Sequence, residues 1–337
     1  MGYLPTRRGN NLRVHIAKRG ITPTKPIKPV LLVVNPVAGR GRAIEVALEL
    51  LRELSARGIK AEMVETTKES HNSALDTKIL DSETVIAMGG DGTLNRVARP
   101  ILLTPQHDNK PLPAVAFVAL GTGNVAARAF HLPQRLSDVA SLVDAKTTRR
   151  IDAGIVFQNG IAVAVFLLWL GAGLDAALIH AVAGFRSQYQ GSWLMPHYFL
   201  EAPRTLMTYK FPEISVQSKQ INGDFASVMI ANVGLLGVGS ITRFANPYDG
   251  QFNLIATPHR SRPAWCLSGI LAGIHGYDFC YGVRRSHETN ITLQSQESVP
   301  IQIDGEPFGP PPFDIKIMPS ALPLLMPAGQ CLHQMQK

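Results

Sequence analysis

At 337 residues the chain is too long for one comfortable core and fits two domains of ordinary size. A hydrophobic share of 45% with 17% charged residues describes a globular chain and excludes a disordered one. Of 33 Lys and Arg, nine fall in residues 1–44 with no acid among them, so the rest carries 24 bases against 25 acids and holds no basic–aromatic array for nucleic acid.

Residues 1–28 form a basic arm with Arg7, Arg8, Arg13, Lys18, Arg19, Lys25 and Lys28. Three readings stay open for it: contact with an anionic membrane surface, an organelle transit peptide, or a passive tail. Val30 to Val34 is a continuous apolar run, as a strand buried on both faces requires. Ile44, Ala47, Leu48, Leu51 and Leu54 then recur at helical spacing, and Gly58 is placed to stop that helix. A strand over Ala61–Glu65, a helix near Asn72–Leu80, and buried strands at Thr84–Met88 and Ala114–Val118 continue the rhythm. It predicts an α/β domain with a parallel sheet.

Past about residue 150 the pattern changes. Ile151–Phe157 and Ile161–Leu168 flank Asn159-Gly160, a two-residue hairpin signal. Short strands follow at Ile214–Gln217, Ala226–Ala231, Phe252–Ala256, Asn290–Gln294 and Pro300–Ile303, with helices near Asp175–Gly184 and Trp193–Tyr209. This predicts a mainly antiparallel β second domain. Late strands at Ile315–Met318 and Leu322–Leu325 follow, one of them a candidate to return to the first domain. The expected boundaries are 29–148, completed by 319–337, and 149–318.

Cys266, Cys280 and Cys331 form no CxxC pair, which argues against a disulfide framework or zinc finger and for a reducing compartment. The longest apolar run, Ile161 to Leu174, is too short to span a bilayer. The expected location is cytoplasmic, with peripheral membrane contact open.

Three glycine-rich turns each follow a predicted strand: Asn35-Pro36-Val37-Ala38-Gly39-Arg40-Gly41, Gly89-Gly90-Asp91-Gly92-Thr93 and Gly121-Thr122-Gly123-Asn124. Loops at the carboxyl ends of parallel strands line one crevice, and helix N-termini there offer free N–H groups to anions. Three such turns suggest a polyphosphate cradle. No GxxxxGK[ST] occurs, and a dinucleotide GxGxxG fails because Ile44 stands at its last Gly. Asp91, flanked by glycines, suits a Mg²⁺–phosphate site; the alternative is a helix cap. Asp175 stands where a helix N-cap is expected.

Gly89-Gly90-Asp91-Gly92-Thr93-Leu94-Asn95 with Asn35-Pro36…Gly39 resembles the catalytic domain of diacylglycerol kinases, sphingosine and ceramide kinases and bacterial soluble lipid kinases. Gly121-Thr122-Gly123-Asn124 with Ala127-Arg128, Ile151-Asp152-Ala153-Gly154, Gly171-Ala172-Gly173-Leu174-Asp175, Pro247-Tyr248-Asp249-Gly250 and Ile303-Asp304-Gly305-Glu306 follow in family order. The GGDGT loop is shared with NAD kinases and 6-phosphofructokinases, which sets the expected fold of the first domain.

The resemblance implies phosphoryl transfer from ATP with Mg²⁺ to a lipid hydroxyl, in a cleft between two domains. It puts the nucleotide on Asn35, Pro36, Val37, Ala38, Gly39, Thr67, Gly89, Gly90, Asp91, Gly92, Thr93, Leu94, Asn95, Gly121, Thr122 and Asn124. It makes Glu306 the catalytic base, a role some members give to the Asp91 position, and gives Asp91 the Mg²⁺–phosphate role with Asp152 in the same acidic network. It sets a structural Mg²⁺ at Asp249 with Asn246 and Gln251 through backbone oxygens, the alternative being a plain Tyr-Asp-Gly turn. Asp175 is the candidate for the lipid head. The family usually has Asp where this chain has Val125 and often Glu where it has Arg96, so Mg²⁺ organisation is weaker here or Arg96 meets phosphate itself. The apolar stretch Ala162–Gly173 and the aromatic segment Phe185–Phe199 read as core or as walls of an acyl groove. A homodimer stays open. The alternatives are a NAD kinase-like phosphotransferase and a catalytically quiet lipid-binding homologue.

Overall fold

A computed structural model describes residues 28–67, 73–104, 111–184, 195–236 and 239–327; residues 1–27 of the basic arm, 185–194 of the Phe185–Phe199 aromatic segment and the last ten residues lie outside them. Four parallel strands, β1 (Val30–Val34), β2 (Ala61–Glu65), β3 (Thr84–Gly89) and β4 (Ala114–Ala119), stand in the order β2-β1-β3-β4. Helices α1 (Ala43–Ala56), α2 (Ser73–Asp81), α3 (Asp91–Leu103), α4 (Val125–Ala129) and α5 (Leu136–Ala145) alternate with or follow them. Along β1, Leu31 and Val33 join the core under α2 and α3, while Val30, Leu32 and Val34 join the core under α1 and α5. That two-sided burial is why the strand reads as unbroken apolar sequence.

The phase of α1 differs from the sequence reading. Its buried stripe is Ala43, Ala47, Leu50 and Leu54, whereas Leu48 is 45% exposed. Small alanines let the helix approach the sheet closely, and the larger Leu48 turns outward. The predicted stop holds: Gly58 has φ +73°, a left-handed conformation cheap for glycine, and its N–H meets the Ser55 carbonyl.

The second half is built around two sheets. β5 (Thr148–Gln158) and β6 (Ile161–Phe166) form the expected hairpin through Asn159 and Gly160, both at positive φ. β7 (Trp169–Ala172) leads into α6 (Leu174–Ala183) and α7 (Met195–Thr208). After them come β8 (Ile214–Ser218), β9 (Asn222–Phe225), β10 (Ser227–Ala231), the two-residue β11 (Leu235–Leu236) and β12 (Gly239–Ser240), and β13 (Phe252–Thr257). A helix α8 (Arg262–His275), not foreseen from the sequence, precedes β14 (Arg284–Glu288), β15 (Asn290–Gln294), β16 (Ile301–Ile303), β17 (Glu306–Phe308) and β18 (Phe313–Leu325).

An antiparallel sheet of order β14-β13-β10-β7-β16-β17 packs against the β5, β6, β8, β15 and β18 side of the other. Between them Phe166 stacks on Phe252 with ring centroids 5.2 Å apart. The 13-residue β18 joins both halves. Its Phe313–Lys316 end pairs with β15, and Leu324 sits opposite Val115 of the parallel sheet. The two predicted late strands are thus one strand, and its register on β5 shifts between Met318 and Leu322, where Ser320 takes φ +48°. The apolar stretch Ala162–Gly173 is largely core, with Phe166, Leu168, Trp169 and Leu170 buried. Among the described residues no helix is long and apolar enough to cross a membrane.

Candidate active site

The three glycine turns meet at the carboxyl edge of the parallel sheet, with β1 and β3 adjacent. In the first, Asn35 Oδ1 accepts the Val37 N–H, and Gly39, Arg40 and Gly41 all hold positive φ. The Gly39 N–H donates to the Leu120 carbonyl, tying the first turn to the third. Thr67 follows β2 at the same edge and is exposed. In the second turn Gly90 caps α3, so Asp91 opens the helix. A Cβ on Gly121 would sit 2.5 Å from the Gly90 Cα and one on Gly89 2.2 Å from Thr93 Oγ1, so these glycines are contacts the fold cannot widen cheaply.

Asp91 does not face open space. Its Oδ2 accepts the Val125 N–H at 3.0 Å and its Oδ1 the Ala126 N–H at 2.9 Å, so it braces the start of α4 against the second turn. Burial raises its pKa, only partly offset by those two N–H groups and by Arg128. The expected cap on its own helix is not made: Gly90 is the N-cap of α3, and the N–H groups Asp91 accepts open α4. Asn124 enters α4 at φ +47°, and its Oδ1 is buried with no hydrogen-bond partner.

The facing wall comes from the second half. β16 and β17 turn through Asp304 (φ +48°) and Gly305 (φ +83°), with Ile303 opposite Glu306. This two-residue loop buries Asp304 and exposes Glu306. Asp304 Oδ1 accepts the N–H groups of Leu168 and Trp169, and Oδ2 those of Leu167 and of the Asn95 side chain, at 2.8–3.1 Å. Burial nonetheless pushes Asp304 up to about 6. Asn95, at the end of the GGDGTLN run, also donates to the Val165 carbonyl. Through Asn95 and Asp304 the two halves are tied together, and Glu306 Oε1 comes 3.9 Å from where a Cβ on Gly92 would be.

Several expectations change. Leu94 and Thr93 are buried and Asn95 is spent on Asp304, so these side chains turn from the nucleotide edge, although their backbone opens α3. Arg96 pairs with Asp76 on α2, so it does not reach toward phosphate. Val125 lies in the core, and its N–H serves Asp91. Asp152 does not join Asp91 and Glu306: its oxygens accept the Gly250 and Ser320 N–H groups at 2.7 Å. That places it beside Asp249, whose pKa is raised by burial first and by Asp152 as well. Asp249 Oδ1 accepts the Gln251 N–H, as a plain Asx turn does, and no group of three His, Cys, Asp or Glu suited to a metal occurs among the described residues.

Asp175 lies in the first turn of α6, and Gly173 at φ +110° is the N-cap, so the capping reading falls. Both carboxylate oxygens are enclosed without a partner at full hydrogen-bond geometry, and Oδ2 occupies the space a Cβ on Gly171 would need. Burial lifts the group to about 6, against smaller lowering pulls from the Ala176 N–H, then Gln302. Gln302 Oε1 takes the Gly305 N–H, beside Glu306, while its Nε2 is also unpartnered. Burial and the charge of Asp175 together hold the Tyr209 phenol protonated. Tyr209 lines a groove of about 370 Å³ between α6 and α7, with Ala177, Ala181, Thr205 and Glu297. Sequence reasoning missed Asp304, Gln302 and Tyr209; the Asp-Gly pair before Glu306 was the one signal that marked a tight turn there.

A family model for the diacylglycerol kinase catalytic domain matches residues 29–156, and one for the YegS C-terminal NAD kinase beta sandwich-like domain matches 169–326. The "probable lipid kinase YegS" of Escherichia fergusonii is 27% identical over 306 residues, covering 88% of this chain and 95% of that protein. A Staphylococcus epidermidis diacylglycerol kinase is 29% identical over 129 residues, 38% of this chain and 39% of its own. A crystal structure of a diacylglycerol kinase from Bacillus anthracis shares the fold, with a TM-score of 0.65 at 16% identity, covering 91% of this chain and 99% of that one.

Proposed function

The chain belongs to the diacylglycerol kinase catalytic-domain family, and from that premise we propose that it transfers the γ-phosphoryl group of ATP to a lipid hydroxyl. The observation that carries this reading is the position of Glu306: an exposed carboxylate beside Gly92, on a turn anchored by buried Asp304. The polyphosphate rests on the N–H groups of the three turns and of the α3 N-terminus. Glu306 accepts the acceptor's hydroxyl proton as that oxygen bonds to the γ-phosphorus; the bond to the ADP oxygen breaks, and the electron pair leaves with ADP.

The residues present suit Mg²⁺. The orphaned Asn124 Oδ1 is a hard oxygen of the type that ion takes, and Mg²⁺ bound with ATP would neutralise phosphate charge. Asp91 serves as a positioning residue that keeps the second and third turns in register. Asp249 and Asp152 serve the turn that meets β18. Asp175, enclosed beside Gln302, is our choice for the polar head of the acceptor.

The test is purified protein with Mg²⁺, γ-labelled ATP, mixed lipids in detergent micelles and NAD⁺, followed by chloroform extraction. Label in the organic phase is expected, and Glu306→Gln removes it. Label on an aqueous dinucleotide would overturn the lipid reading in favour of a NAD kinase-like one.

A further inference from the structure

Helices α6 and α7 pack together, and α6 also lies against β16 and β17, the hairpin that carries Glu306. Along α7 the exposed residues Leu200, Pro203, Arg204 and Met207 recur at helical spacing and form one stripe, with Leu200 73% and Met207 66% exposed. On α8 the matching exposed residues are Arg262, Pro263, Cys266 and Leu267. The two helices are fixed to each other by aromatic contacts: Tyr209 meets Phe211 edge-on, and Phe211 stacks on Trp265 with centroids 5.1 Å apart. Arg260 spans from the Ser268 hydroxyl to the Tyr281 carbonyl, which brings the 96% exposed Tyr281 beside α8.

Cations outnumber acids around this face, with exposed Glu297 lining the groove beside Lys210. Residues 200–210, 259–268 and 277–287 contain Arg204, Lys210, Arg260, Arg262, Arg284 and Arg285 against two acids, Glu201 and Asp278. Neither acid faces outward: the Glu201 side chain is 18% exposed and pairs with Arg204, and Asp278 is 3% exposed and held by Thr242 and the Arg243 N–H. Large apolar side chains standing among cations suit a surface that is anionic at its skin and apolar beneath. A second copy would set these cations against themselves, and a nucleic acid would leave Leu200, Met207, Leu267 and Tyr281 in water.

We infer that the α7–α8 face docks the protein on an anionic lipid bilayer, with Leu200, Met207, Leu267 and Tyr281 entering the head-group layer and the arginines and Lys210 meeting lipid phosphates. The inference goes beyond the kinase reading, because binding to vesicles needs no turnover. It also assigns membrane contact to the body of the protein, independently of residues 1–28.

Cys266 reports directly on this face. The full chain carrying Cys331→Ser, labelled at Cys266 with an environment-sensitive fluorophore, is mixed with phosphatidylcholine vesicles with and without phosphatidylglycerol. Brighter, blue-shifted emission is expected only with the anionic vesicles, and high salt reverses it. The unlabelled double variant Met207→Glu, Leu267→Glu loses vesicle co-sedimentation roughly tenfold while keeping the parent's melting temperature and its turnover of a short-chain, water-soluble acceptor. Unchanged emission, or undiminished sedimentation of the double variant, would overturn the proposal and move membrane contact elsewhere on the chain. An emission change that tracks protein concentration without vesicles would overturn it in favour of self-association. Docking without any lipid phosphorylation would leave this inference standing and sink the kinase reading alone.

Discussion

Asp304 and Asp175 both hold an enclosed carboxyl that burial pushes up to about 6, yet one is fully served by the fold and the other is not. Asp304 takes four N–H groups from Leu167, Leu168, Trp169 and Asn95, so the polypeptide has answered its charge. Asp175 has only the Ala176 N–H, Gln302 and its own N–H nearby, none of them at full hydrogen-bond geometry. A buried acceptor without a donor costs the fold about 1–3 kcal/mol, and such groups persist where an incoming molecule supplies the missing partner. The contrast separates a latch from the carboxyl we propose for binding, although burial raises both alike.

Breaking the latch has the largest expected effect. Asp304→Ala orphans four donors in one step and lowers stability by about 3–5 kcal/mol in denaturant melts, with turnover lost because the Glu306 hairpin comes free of Asn95. A wild-type melting curve would mean that the donors find water instead. Glu306→Gln, a few residues away and exposed, leaves the melting curve alone and lowers kcat by about 10²–10⁴-fold.

Asp175→Asn carries the opposite sign. The folded pKa of Asp175 is raised, so between about pH 4 and 6 the folded state binds more protons than the unfolded chain, and wild-type stability is lost as pH rises through that window. The Asn variant lacks this loss. Its stability advantage opens near pH 4, is complete above about pH 6, and reaches about 1–3 kcal/mol, while KM for the acceptor rises. Thermal melts across that pH range, read beside KM, check both halves; stabilisation with an unchanged KM would leave Asp175 without a role in binding. Asn95→Ala is the mildest, costing about 1–2 kcal/mol, and adds nothing on top of Asp304→Ala in a double-mutant cycle, since both remove the same bond.

Much of this was legible in the sequence. Continuous runs such as Val30 to Val34, three glycine turns and Asn159-Gly160 each encode their structure within a few residues, and the structure returns them close to the expected bounds. What stayed hidden depends on partners far along the chain. Asp91 caps a helix 34 residues away, and Asn95 meets an acid 209 residues away. Local spacing could not signal either. Arg96 follows the glycine run closely enough that a phosphate contact stays open from sequence, and only the placement of α2 sends it to Asp76. The phase error on α1 has a simpler origin: leucine outweighs alanine in any hydrophobicity count, but alanine is the residue that lets a helix sit close to a sheet.

Strand β18 has a consequence for how the chain acquires its structure. Leu324 pairs beside Val115, so the edge of the parallel sheet is closed by a strand made long after the sheet's own four. Until then β4 presents an open row of backbone groups to any other strand, a template for wrong pairing. Contacts of such sequence separation are slow to form. During synthesis the first half waits, nearly complete, for the last strand to arrive, and that interval is when it is most exposed to aggregation.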